Sequence, residues 1–288
     1  MARRRSRSKR TSKKSSNFWS VVIILIALVW GVSTKGGSDS SGNHLADQLT
    51  GKKPQTTDVG KAQRAAKVYG GLAQKDYQKL AQLNFKSGSK AYITVNHDHS
   101  TLIKNAWKVN RVIYSDLDSL NRTSHSNTAF LEKRNVANDS LRVRQFVEPT
   151  AWHYNHRGST QLYNRGHMIA YSVSAGIDQE GNYNPNNKSG DQNNPKNLFT
   201  QTAFSNQKIQ TIFESKIRAA LRANKRVIYQ ATPIFRDNEL MARGINLQAI
   251  ATDGSLDFNV YLFNVQPDYI FDYANGRAKV NHELQVIE

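Results

Sequence analysis

Polar and apolar positions divide the chain into four stretches. Residues 1–17 are polar and basic, and Phe18 to Val32 then run without a charge. Only with Asn17, Ser33 and Thr34 does this run reach the ~17-residue lower limit of a membrane-spanning helix. Residues 35–57 return to Gly, Ser, Lys, Asn and Thr, the composition of a flexible tether. From Val59 to Leu83, Ala62, Ala65, Ala66, Tyr69, Leu72, Leu80 and Leu83 recur at helical intervals, and Gly70-Gly71 marks a break. Beyond Phe85 short strand-like runs alternate with polar loops. The pattern predicts strands at 92–95, 109–114, 227–231, 247–251 and 258–263. One helix is predicted from about Ser205 to Asn224, with Ile209, Ile212, Phe213, Ile217 and Leu221 on one face. Strands that cluster rather than alternate with helices indicate an α+β fold with a central, largely antiparallel sheet flanked by helices.

The N-terminal run has two readings. Trp19 and Trp30 sit near its ends, where interfacial aromatics belong, and no small-x-small cleavage site follows it. These features favour an uncleaved signal anchor over a cleaved signal peptide. The basic flank places residues 1–17 in the cytoplasm and everything after Thr34 outside. The predicted organisation is a basic cytoplasmic tail (1–17), a transmembrane signal anchor (18–34), a flexible linker (35–57) and a folded domain (58–288). The domain has a helical lead-in over 58–84 and a core over about 90–280. Gly181 to Asn197 is a long loop rich in Asn, its first half read as a surface excursion.

Charge narrows the partners. The net charge is +18, and the eight basic residues of the first fourteen positions account for less than half of it. The body of the protein is therefore basic, which favours a polyanion such as nucleic acid. The absence of cysteine excludes disulfides, thiolate metal sites and a Cys nucleophile.

Phosphodiester hydrolysis needs a base for water and a cation for the phosphate. Arg165 and His167 lie two residues apart, so on a strand they share a face. Imidazole titrates near neutrality and suits the base. Magnesium takes oxygen ligands, keeps several waters and needs only one or two protein groups, and the amide of Asn206 is an acceptable one. On a straight α-helix Asn206 and Glu214 lie about 80° and about 12 Å apart, so both cannot bind one metal directly. A water between Glu214 and the ion closes that gap, since long side chains lean towards the helix N-terminus. Taken singly, Asn206 reads more simply as a helix cap and Glu214 as an ion pair with Arg218. Arg142 and Arg144 alternate on a predicted strand and could line a phosphate path or pair on the surface. His97-Asp98-His99 reads as a solvated turn without a third ligand. His153 and His156 flank Arg157 in a polar stretch open to nucleic acid.

Asn164-Arg165-Gly166-His167, followed by Asn206 and Glu214 seven intervening residues apart, resembles the DNA/RNA non-specific endonucleases with the ββα-metal (His-Me finger) site. The likeness is closer to the DNA-entry nuclease and streptodornase branch, through Asn197-Leu198-Phe199-Thr200-Gln201-Thr202 and Asn238 to Gly244. It covers about Val109 to Tyr273. The resemblance implies His167 as general base, Asn206 as direct ligand of one Mg2+ (with Mn2+ able to substitute), and Glu214 holding that ion through a water. It implies Arg165 on the phosphate, Asn197 and Gln201 as polar residues of the site, and products with 5′-phosphate ends. The usual motif begins with Asp, where this chain has Asn164. The expected function is cleavage of DNA and RNA outside the cell without sequence preference and without an organic cofactor, for DNA uptake or nutrition. The alternatives are a surface receptor that binds nucleic acid without cutting it, and an intracellular nuclease held on DNA by its basic tail.

Overall fold

The structure, a computed structural model, describes residues 68–288 apart from Asn155. The predicted basic tail, signal anchor and linker, and the lead-in up to residue 67, lie outside the described residues. Among the described residues no helix is long and apolar enough to cross a membrane.

Eight strands and two helices carry the architecture. The strands are β1 (Tyr92–Thr94), β2 (Arg111–Ile113), β3 (Asn127–Leu131), β4 (Tyr163–His167), β5 (Leu198–Thr202), β6 (Val227–Ile234), β7 (Gly244–Ala251) and β8 (Asp257–Phe263); the helices are α1 (Gln74–Ala81) and α2 (Thr211–Arg222). Six strands form an antiparallel sheet in the order β1-β8-β7-β6-β3-β2. β4 and β5 pair with each other as a separate antiparallel ladder that leads directly into the α2 helix. All five strands expected from the apolar pattern belong to the six-stranded sheet, so the largely antiparallel α+β arrangement holds.

Alternation along the strands sorts the two faces of this sheet. Val227, Tyr229 and Ala231 of β6, Ile245, Leu247 and Ala249 of β7 and Phe258, Val260 and Leu262 of β8 meet the apolar stripe Ile209, Phe213, Ile217 and Leu221. Met168, Ile169 and Val173, which follow β4, join the same core. The helical spacing read in the sequence therefore seats α2 on the sheet at four of its five positions; Ile212, expected on the same face, is turned to solvent. The opposite face is polar at its centre. Gln230 donates to Thr128 Oγ1 (3.0 Å) and accepts from the Leu72 amide (3.0 Å), and Gln248 accepts from the Thr101 amide (2.9 Å). Gly70 and Gly71 have φ of 73° and 105°, and a side chain at Gly71 would overlap Gln230. The glycine pair thus lets the chain cross this face before α1 begins.

Two expectations are corrected. Residues 142–149 form no strand; this extended segment is tied down by amide side chains, with Val143 N donating to Gln192 Oε1 (2.9 Å) and Phe146 N to Asn193 Oδ1 (3.0 Å). The first half of the 181–197 loop is not a free excursion either. Gly176 N donates to the Asn187 carbonyl (3.0 Å), Asn184 N donates to the Gly176 carbonyl (2.6 Å), and Asn187 Nδ2 donates to the Ile177 carbonyl (2.7 Å).

Gly244 faces Phe263 in the β7–β8 ladder, and a Cβ there would lie 2.2 Å from the Leu262 carbonyl oxygen and 2.5 Å from the Tyr261 ring. Gly244→Ala is expected to cost about 2 kcal/mol or more, because backbone and a buried ring must both move. Gly88→Ala meets open space at φ 81° and should cost only the left-handed penalty, about 1 kcal/mol. Urea denaturation of the two variants checks the order.

Candidate active site

A cavity of about 530 Å³ opens where the β4–β5 ladder meets the start of α2, and its wall includes Arg142, Asn164, Arg165, His167, Asn206 and Glu214. Residues from three separate stretches of sequence thus converge. Asn197 and Gln201 are fully buried behind this wall, and Arg144 stands on the exposed outer segment.

The helix begins in an unusual way. Ser205–Gln210 form a π-helical turn before the regular α-helix starts at Thr211. Such turns widen the helix and are found mostly as single insertions at functional sites. The straight-helix geometry that separates Asn206 from Glu214 therefore does not apply, and both side chains line one cavity. Asn206 caps nothing; its amide is engaged sideways, donating from Nδ2 to Gln201 Oε1 (2.9 Å) and accepting at Oδ1 from Asn164 Nδ2 (2.9 Å).

These two bonds belong to a longer chain of amides. Gln161 Nε2 donates to Asn164 Oδ1 (2.5 Å). Gln201 Nε2 donates to Gln210 Oε1 (2.9 Å) and Ser205 Oγ (3.1 Å). Gln210 Nε2 ends the chain on two oxygens, the His167 carbonyl (2.9 Å) and Glu214 Oε1 (2.8 Å). Buried amides of this kind are costly unless every donor and acceptor is met, and here they lock β4, β5 and the π turn together. Gly166 has its place in the motif for the same reason. A Cβ at that position would lie 2.3 Å from Gln201 Oε1, so only glycine lets Gln201 cross behind β4.

His167 is half-buried, and its Nε2 lies 3.3 Å from the Gln192 carbonyl oxygen. A carbonyl only accepts, so Nε2 carries the hydrogen and Nδ1 the lone pair. Burial pushes the imidazole down to about 4; the Gln192 carbonyl opposes this and the Arg142 guanidinium adds to it. The ring is therefore neutral at pH 7. Asn197 holds the backbone just beyond, accepting from Ile169 N (2.8 Å) and donating to Ile169 O (3.0 Å). Glu214 has its carboxyl raised above the usual range by burial, against the pull of Gln210, Arg218 and Arg142. Its Oε2 lies 3.6 Å from Arg218, so the ion pair expected from the i,i+4 spacing coexists with a place on the cavity wall.

The cationic side of the cavity is equally fixed. The Arg165 guanidinium stacks over Trp152 at 4.2 Å, and its Nε donates to the Val147 carbonyl (2.5 Å). Arg142 lies over the Tyr171 ring at 4.6 Å and pairs with Asp139 at 3.2 Å. His153 and Arg157 are elsewhere, bonded to the carbonyls of Asn275 and Ala278. His97 to His99 form an exposed turn in which His99 meets Asp257 at 3.1 Å. Among the described residues no group of three or more His, Cys, Asp or Glu side chains could hold a metal. Gln192, Gln210 and Trp152 were not singled out in the sequence, because amides and a lone Trp form no recognisable motif. The one available cue is Gln210 four residues before Glu214.

Comparison with known proteins bears on the fold and the family. The crystal structure of NucA from Streptococcus agalactiae with magnesium bound is 28% identical, covers 73% of this chain and 99% of its own, and superposes with a TM-score of 0.58. The metal-free structure of the same protein is 29% identical, covers 73% and 97%, and gives 0.56. The model of the DNA/RNA non-specific endonucleases matches residues 99–252, more than half of the sequence, and the chain belongs to that family.

Proposed function

We propose that this endonuclease hydrolyses DNA and RNA phosphodiesters with His167 as general base, in a ββα-metal site made by β4, β5 and α2. The observation that carries this reading is the tautomer imposed by the Gln192 carbonyl: a neutral imidazole whose free lone pair is on Nδ1. Such a ring removes a proton from water without first losing one of its own. Arg165, held over the Trp152 ring, offers its guanidinium to a phosphate oxygen, and Arg142 adds positive charge at the rim. Contacts of this type read backbone and not base, which suits a nuclease without sequence preference.

The donor set also fits a magnesium ion. Asn206 Oδ1 and the Glu214 carboxylate are hard oxygens on one wall, and the thiol and multi-imidazole sets that favour softer metals are missing among the described residues. Asn206 would hold the ion directly and Glu214 from further out, and Mn2+ would substitute. The ion would supply charge neutralisation at the phosphate and at the departing 3′ oxygen. The basic charge of the body and the apolar run at 18–34 support a role outside the cell, in uptake or breakdown of external nucleic acid.

The test uses the purified full-length chain on plasmid DNA in Mg2+ and in EDTA, beside His167→Ala. Cleavage is expected in Mg2+ only, with a loss of about 10²–10⁴-fold in the variant while DNA binding changes little. A wild type that binds DNA and leaves it uncut in Mg2+ would overturn the proposal in favour of a receptor.

The pH profile gives a second check. The catalytic form is the neutral ring, present above its pKa, so activity falls as pH drops through that value. With the pKa near 4, kcat/KM should be level from pH 7.5 to 6. An acid limb centred at the ordinary histidine value, near 6.5, would show that the ring is not held as described.

A further inference from the structure

The direction of the amide chain is not free. The His167 carbonyl oxygen can only accept, so Gln210 must turn its Nε2 towards it and towards Glu214. Gln210 Oε1 then faces Gln201 and requires Nε2 from it. Gln201 Oε1 in turn requires Nδ2 from Asn206. Asn206 Oδ1 is left pointing at residue 164, and a hydrogen-bond donor there is needed to meet it. Asn164 supplies one at 2.9 Å, and its own Oδ1 is turned away to Gln161, whose Oε1 accepts from Gln207 Nε2 at 3.3 Å. Six amides thus run donor to acceptor in one sense from Gln207 to the His167 carbonyl.

The end of this chain matters for metal binding, and the inference rests on Asn206 being the metal ligand. Asn164 occupies one lone pair of Asn206 Oδ1 and places the positive end of an N–H dipole beside the oxygen that would hold the cation. A carboxylate at 164 could donate nothing. It would set two oxygens against each other, an arrangement that is unfavourable alone and becomes favourable with a cation between or beside them. We propose that Asn164 is a positioning residue that competes with the divalent ion for Asn206 Oδ1. It keeps the site assembled without metal and makes magnesium binding weaker than an Asp at this position would.

The test is magnesium titration by calorimetry without nucleic acid, on the full-length wild type, Asn164→Asp and Asn206→Ala, with melting curves in EDTA and in Mg2+. Asn164→Asp is expected to bind Mg2+ about tenfold tighter or more, since affinity follows ligand charge. It should also melt below wild type in EDTA and recover in Mg2+. Equal Mg2+ affinity, or equal stability in EDTA, overturns the inference. If Asn164→Asp is unfolded in EDTA, circular dichroism follows its refolding with added Mg2+; recovery at millimolar ion supports the competition, and no recovery overturns it. Asn206→Ala separates the two levels. Loss of Mg2+ binding there with unchanged affinity in Asn164→Asp refutes only the role of Asn164. Retained binding in Asn206→Ala refutes the metal-ligand assignment on which it rests.

Discussion

The carbonyl oxygen of His167 has no hydrogen to give, and most of the site's polar order follows from that fact. Gln210 must donate to it, so every amide behind Gln210 is turned in one sense, up to the pair Asn164 and Asn206 on the cavity wall. The same oxygen belongs to the residue whose ring faces the cavity. The backbone of His167 therefore sets the orientation of Asn206, while its side chain is set from the other side by the Gln192 carbonyl. The proposed base and the proposed metal ligand are held by one framework, which is the precondition for two groups to act on one phosphate.

That framework needs a helix that starts irregularly. Thr202 Oγ1 accepts from Ser205 N (3.1 Å) and donates to the Val265 carbonyl (2.6 Å), so the chain turns from β5 into the helix at a point anchored to the residues after β8. Asn264 fixes β5 from the same direction, accepting from Thr202 N and donating to Thr200 O. The π turn then begins at Ser205, and Gln210 is placed inward under the ladder. The rest of α2 is regular, and its apolar stripe on the sheet keeps the site in register with the core. An irregular start and an ordinary continuation divide the helix between the cavity wall and the core.

What could be read in the sequence follows this division. The α2 stripe and the longer strands were legible because burial imposes a period on them. The β3 strand was not: Asn127 and Thr128 are buried and hydrogen-bonded, so polarity there does not mark a solvent face. The β5 strand hid for the same reason, with Thr200, Gln201 and Thr202 all buried. His167, Arg165, Asn206 and Glu214 could be proposed from residue type, and they do meet at one cavity, although the straight-helix geometry kept two of them apart on paper. Asn197 and Gln201 are found a layer behind, where they hold backbone and amides. The contributions of Gln210 and Gln192 come from which atoms face which in space, and no residue pattern encodes that.

The preference for amides over carboxylates has a physical reason under the proposed function, which sets the cleft two opposed tasks. A cation site is strengthened by negative charge, whereas a site for a polyanion is weakened by it. Here the cavity wall carries one carboxylate, Glu214, already drawn towards Arg218, against the two guanidinium groups of Arg142 and Arg165. His167 adds no charge at neutral pH, because burial holds its ring in the neutral form. Neutral oxygens at Asn206 and Asn164 add no negative charge to this wall, so the backbone phosphates of a long substrate would meet less repulsion there. A second carboxylate would hold the ion more firmly and oppose the approach of the phosphate it serves. In the proposed reaction the substrate's own phosphate oxygens would supply the missing negative charge, and metal and nucleic acid would then reinforce each other's binding.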